Sequence, residues 1–255
     1  MKKVTTKANQ RDEGGKRQLK DIRKLLNLNY LSLLNKTYCT GEFDLPVLYC
    51  NPDVLPDYLA LYTQPGDYHK TPLTGVCFYL YDSSFDGPNG LFNAIYYSDK
   101  KRLQFYKERF TGIKFFISPD YSQFGDLHKM ENLVRLWKAR IVSLWLTLEM
   151  HAIVIPNITY ISEETFPLFC CGLEECRVVA FSTKGHVRNA NERKLTKAAV
   201  KYVTDHLPLK SIVVYSVCGE DKESLELFRY AADHGIQIAI PDNMLRERNM
   251  RRNSL

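Results

Sequence analysis

"RVVAFSTKGHVRNANERKLTKAAVKYVTDHLPLKSIVVYSV", Arg177 to Val217, decides how the chain folds. It opens on an apolar, β-branched run and turns through Ser182, Thr183, Lys184 and Gly185. A segment with helical periodicity follows over Ala190 to Leu207, and a second β-branched run closes it. Short runs that are apolar at nearly every position are strands covered on both faces, the mark of a parallel sheet. A helix between two parallel strands makes a right-handed βαβ unit.

The same alternation extends outward in both directions. Strand-like runs stand at "GVCFYLY" (75–81), "GIKFFIS" (112–118), "AIVIPN" (152–157) and "IQIAI" (236–240). Helical patterns lie near 100–110, 162–171 and 222–234. The longest covers 126–150, where Met130, Leu133, Val134, Trp137, Ile141, Leu144, Trp145 and Leu148 recur at three- and four-residue steps. Its tryptophans read as core. Five strand-helix alternations define an α/β fold of repeated βα units, and an incomplete or distorted (β/α) barrel is favoured over an open doubly wound parallel sheet. Residues 25–74 are broken by Pro46, Pro52, Pro56, Pro65 and Pro72 and read as an irregular wrapping segment with one short strand at "PVLYC". The expected organisation is one domain over 25–245, with βα repeats from 75, flanked by basic tails at 1–24 and 246–255.

The formal charge of +6 is concentrated in those tails. Residues 1–24 carry nine Lys or Arg against three acids, and 246–255 carry four Arg against one Glu, so the body is mildly acidic. That excludes a basic platform for nucleic acid in the body and leaves the tails as the electrostatic route to phosphates. The first tail contains "RDEGGKRQ" and reads as solvated, without the apolar core of a secretory signal. No run reaches the roughly 18 apolar residues of a membrane span. Seven scattered cysteines, an odd number in apolar surroundings, read as reduced thiols of a cytoplasmic protein. "CCGLEEC" lacks the second ligand pair of a structural zinc site, so no metal site is assigned.

The chemistry gathers at the strand carboxyl ends, where parallel α/β folds bind ligands. Successive exits supply Asp82; then Ser118, Asp120, Tyr121 and Ser122; then Asn157 and Thr159. The later exits supply Ser182, Thr183, Lys184, Gly185, His186, Arg188 and Asn189; then Ser216; and finally Asp242. Helix capping by itself explains Ser122, Asn189 and Asp221. It does not explain Lys184, His186 and Arg188, because the helix dipole disfavours cations at an N-terminus. Three basic groups beside free backbone N–H donors suit a phosphate, and Gly185 lets the backbone come close. Ser182, Thr183, Lys184, Gly185, Arg188 and Asn189 are therefore the expected phosphate ligands. Asp120, fixed behind Pro119, pairs with Asp82 for acid/base work or for Mg²⁺, with His186 as a further acid/base, against the plainer reading that Asp120 bonds its own turn. Ser118, Tyr121, Ser122, Asn157, Tyr215 and Asp242 complete the rim. The stripe Lys194, Lys197, Lys201 reads as a solvated face. No Gly-rich phosphate loop, dinucleotide fingerprint, nucleophile elbow or zinc-deaminase signature is present.

The order "VCFYLYDSSFD", "GIKFFISPDYS", "IVIPNITY", "RVVAFSTKGHVRNANER", "IVVYSV" resembles the family described as domain of unknown function 4417. Its members share an "SPDFS"-like turn, an "IP" strand and an "STxG…RN" turn. The resemblance spans roughly residues 75–217 and rests on Ser118, Pro119, Asp120, Tyr121, Ser122, Pro156, Ser182, Thr183, Gly185, Arg188, Asn189 and Tyr215. It implies a phage, prophage or conjugative-element setting and carries no reaction. This chain departs from the pattern at Ser216, where glycine is common, and at His128, where proline is common.

Three functions are therefore in play. The first is binding of a phosphorylated ligand, nucleotide or nucleic acid, at the strand ends, with phosphoester or glycosidic chemistry if the protein is an enzyme. The second is a non-catalytic protein that binds a host protein or sequesters a signalling nucleotide. The third is nucleic-acid binding through the basic tails.

Overall fold

The computed structural model describes residues 30–253 except His186 and Arg188. The expected tail 1–24 lies outside the described residues. In chain order the strands are β1 (Cys39–Thr40), β2 (Leu45–Pro46), β3 (Tyr58–Leu61), β4 (Thr74–Cys77), β5 (Phe115–Ile117), β6 (Ile153–Ile155), β7 (Val178–Ser182), β8 (Ser211–Tyr215) and β9 (Gln237–Ala239). The helices are α1 (Leu31–Leu34), α2 (Leu91–Tyr96), α3 (Lys100–Arg109), α4 (Lys129–Glu149), α5 (Phe166–Cys170), α6 (Ala190–His206), α7 (Asp221–Leu227), α8 (Arg229–Asp233) and α9 (Met244–Asn253).

The result is a mixed α/β protein with two parallel sheets, ordered β3-β4-β5-β6 and β7-β8-β9, and a small antiparallel pair, β1-β2. The sheets touch at both ends through single parallel bridges, Asn157 with Ala180 and Tyr58 with Asp242. Backbone bonds support each junction: Ile158 N–H donates to Ala180 O at 2.9 Å, and Leu59 N–H to Asp242 O at 2.8 Å.

The strand period of two sorts the core. Leu59, Leu61, Cys77, Tyr79, Ile117 and Ile155 pack with the buried residues of β7 and β8. Their neighbours Tyr58, Ala60, Val76, Phe78, Phe116 and Val154 pack instead with α2, α3 and α4. In α6, Thr196, Ala199, Val200 and Val203 form the buried stripe. That helix starts at the Asn189 cap and stops before Pro208, whose ring disfavours helical backbone in the preceding Leu207. The lysine stripe is a solvated face: Lys197 pairs with Glu226 and Lys201 with Asp205. Trp145 is buried, and Trp137 packs against Tyr30, Phe92 and Tyr96.

Two elements differ from the sequence expectation. The Pro-rich segment supplies β3, which pairs in parallel with β4 from Tyr58↔Thr74 to Leu61↔Cys77. "PVLYC" contributes to β2 only through Pro46. The segment read as a basic tail from 246 belongs, as far as Asn253, to α9, and Arg246 is nearly buried, bonded to Asp221 and Asp242. Its guanidinium is therefore already neutralised within the fold.

Candidate functional site

A cleft of about 410 Å³ lies at the carboxyl ends of β5, β6 and β7 and the chain just beyond β4. That volume is within the range of small-molecule sites. Tyr79 and Tyr81 enter it from the β4 exit, Asp120 to Phe124 from the β5 exit, Asn157 to Tyr160 from the β6 exit, and Ser182, Lys184 and Gly185 from the β7 exit.

Asp120 lines this cleft. Asn157 Nδ2 donates to its Oδ1 at 2.8 Å, and Asn157 Oδ1 accepts from Tyr79 Oη at 2.8 Å. The amide thus holds one carboxyl oxygen, and no other described residue takes the second through a hydrogen bond. Burial of its protein side, reinforced by the negative charge of Asp82, raises the Asp120 carboxyl from an ordinary 3.8 to about 6, against the opposing pull of Asn157 and Lys184. Burial, with the Asp120 charge beside it, also holds the Tyr79 phenol protonated, fixing it as the donor to Asn157.

Asp82 does not complete a carboxylate pair in this cleft. Its Oδ1 accepts from Ser122 N–H at 3.0 Å and from Ser122 Oγ at 2.9 Å, and its Oδ2 is paired with Arg135 of α4. It opens onto a neighbouring depression with Asp86 and Lys138. Ser122 therefore braces two loops and caps no helix. Asp221 opens α7 and accepts from Arg246.

The phosphate set divides the same way. Lys184 is exposed at the cleft, and its Nζ donates to Tyr79 O at 2.8 Å. Ser182 Oγ accepts the Lys184 N–H at 3.1 Å. Gly185 sits at φ +89°, a conformation that disfavours side chains, with open space where a Cβ would lie. Thr183 is buried and faces β8, donating to Tyr215 O and accepting from Val217 N–H. Asn189 caps α6 through Asn191 N–H and Glu192 N–H, so those donors at the helix start are occupied. His186 and Arg188 lie outside the described residues.

Of the expected rim, Ser118 is buried and accepts from Asn157 N–H. Tyr121 is buried yet lines the cleft. Tyr215 packs on Tyr79 with ring centroids 4.8 Å apart, and Asp242 faces Arg246. Sequence reasoning missed Tyr79, Tyr81, Phe124 and Tyr160. Tyr79 and Tyr81 stand at the end of the "FYLY" run, where no local signal separates the buried Tyr79 from the exposed Tyr81. Among the described residues no three His, Cys, Asp or Glu side chains gather as a metal-ligand set. The seven cysteines are unpaired, and no described helix is long and apolar enough to cross a membrane.

These features define an α/β protein with a polar, aromatic-walled cleft at its strand carboxyl ends. The chain belongs to the family described as Domain of unknown function (DUF4417), whose profile matches residues 38–231 and so takes in β1 to β8 and leaves β9 outside. No curated protein and no solved structure matches the chain.

Proposed function

We propose that the protein binds a phosphorylated ligand, a nucleotide or the end of a nucleic acid, in this cleft, with Lys184 and the Gly185 turn on the phosphate and Asp120 facing the body of the ligand. The observation that carries this reading is the meeting of Asp120, raised to about 6, with the exposed Lys184 across one cleft at strand carboxyl ends. One Lys184 donor is held by the Tyr79 carbonyl, and the ammonium's two others are available to an anion. A carboxyl near 6 exchanges a proton close to neutral pH, which suits general acid/base work on a phosphoester or glycosidic bond. Mg²⁺, where it accompanies the phosphate, would meet Asp120 alone, because Asp82 is engaged by Arg135 and Ser122.

The architectural part of the proposal is that the seven parallel strands close into a distorted (β/α) barrel. The bridges at Asn157–Ala180 and Tyr58–Asp242 support it. The unpaired cysteines suit a reducing, cytoplasmic setting. A second reading, a non-catalytic binder of a protein partner, is favoured by the exposed rings of Tyr38, Phe43 and Tyr49 on the wrapping segment.

The test is a thermal-shift panel of mono-, di- and cyclic nucleotides and short single-stranded DNA on the wild type and Lys184→Ala. A melting-temperature rise in the wild type that Lys184→Ala abolishes supports the cleft, since a ligand of the native state stabilises by mass action. A rise of equal size in both sinks the assignment. Turnover that Asp120→Asn abolishes while binding persists marks an enzyme.

A further inference from the structure

Two rings at the cleft mouth stand in water. Tyr81 is 82% exposed and Phe124 52% exposed, and both line the cleft. Single exposed aromatics are ordinary. These two differ in how their backbones are held. Asn132, itself buried, accepts from Phe124 N–H at 3.2 Å and donates to Phe124 O at 2.8 Å, so one side chain fixes both polar groups of that residue. Asp82, next in sequence to Tyr81, grips Ser122, two residues before Phe124, and Arg135 completes the brace. Asn132 and Arg135 stand three residues apart on α4 and so share one helix face. A single helix thereby sets the spacing of both ring-bearing loops. Lys184 Nζ lies 5.9 Å from the Tyr81 ring centroid, which brings a cation to the same wall.

Resting on the reading of the cleft as a phosphate-ligand site, we propose that Tyr81 and Phe124 form a stacking clamp for the nucleobase of the bound ligand, with Asp82 and Asn132 as its positioning residues. Exposed aromatic rings on braced loops suit a flat heterocycle, because every base has a π-face and stacking needs little hydrogen-bond readout. Fixing the loops that carry the rings before binding reduces the ordering entropy that association must overcome. The ligand class is therefore a base-bearing nucleotide, free or at the end of a single strand, and not a sugar phosphate.

Titration calorimetry with AMP, adenosine, ribose 5-phosphate and a five-residue oligothymidylate on the wild type, Tyr81→Ala, Phe124→Ala, Tyr81→Trp and Lys184→Ala separates the possibilities. The clamp predicts AMP at least about tenfold tighter than ribose 5-phosphate in the wild type, a gain lost in either alanine variant and kept in Tyr81→Trp. Ribose 5-phosphate affinity should be unchanged by the ring substitutions. AMP bound equally by the wild type and both ring variants, yet weakened by Lys184→Ala, overturns the clamp and leaves the phosphate site standing. Adenosine bound as tightly as AMP, lost with the rings and indifferent to Lys184, supports the clamp and removes the phosphate site. No binding of any probe by the folded wild type overturns both. Tighter binding of the oligothymidylate than of AMP identifies a strand end as the source of the base.

Discussion

The two loops that face each other across the cleft are built in opposite ways. The β5 exit, residues 118–124, is bound on every side: Ser118 and Asp120 to Asn157, Ser122 to Asp82, and Phe124 to Asn132. Beyond the sheet pairing of Ser182, the β7 exit at 182–185 has, among the described residues, a turn bond from Lys184 to Ser182, one bond from Lys184 to the Tyr79 carbonyl and the anchoring of Thr183 to β8. Polar residues of similar type thus serve different ends. In the first loop most of them fix geometry, and Asp120 retains a carboxyl oxygen for the cleft. In the second, Lys184 and Gly185 stay exposed at the cleft. A polar residue at a strand end is therefore informative only once its partners are known.

The sharpest way to break this contrast is at the brace. Asp82→Ala removes two bonds to Ser122 and leaves the Arg135 guanidinium without its carboxylate, in a pair whose side chains are 20% and 27% exposed. We expect a loss of about 2 to 3 kcal/mol, below the figure for a fully buried pair because water still reaches the site. Urea denaturation measures it, and a loss under about 0.5 kcal/mol would remove the brace from the account.

How much of this was legible in the sequence follows from the range of the interactions. β7, α6 and β8 were readable because continuous β-branched runs and a capped amphipathic helix are local signals. β3 was not: "YLAL" is four residues between Pro56 and Pro65, and its place depends on pairing with β4 in register and on the bridge to Asp242. α2 spans only six residues, less than two turns, too short for periodicity to declare itself. In the site, the proline before Asp120 marked a carboxylate fixed at a strand exit. Asp82 looked equivalent, but its orientation is decided by Arg135, 53 positions away on another element. Tyr81 and Phe124 were hidden because aromatics near strand ends are usually core.

A middle-sized effect concerns pH. The Asp120 carboxyl is raised from 3.8 to about 6 on folding, so between those values the folded protein holds more protons than the unfolded chain. Its stabilising contribution is full below 3.8 and is lost as pH rises through 6. Asp120→Asn removes this titration, so wild-type stability should fall relative to the variant by about 1 to 2 kcal/mol from pH about 4 to about 7, a figure reduced for the water at the cleft. Equal pH slopes in the two proteins would refute it. Asn157→Ala removes a hydrogen bond that lowers the Asp120 value, so the carboxyl should titrate higher still, as followed by NMR of the carboxyl carbon.

The smallest expected effect tests the other loop. Lys184→Ala deletes one bond to the Tyr79 carbonyl from an exposed side chain, and water can take the vacated carbonyl where the cleft is open. Its stability should change by less than about 0.5 kcal/mol in the absence of ligand. Because Lys184 lowers the Asp120 value, the same substitution should raise the Asp120 titration. A silent unfolding curve with a displaced Asp120 titration would mean that Lys184 acts across the cleft and not within the fold. A loss above about 1 kcal/mol would mean that the β7 exit is as structural as the β5 exit, and the functional asymmetry between the loops would disappear.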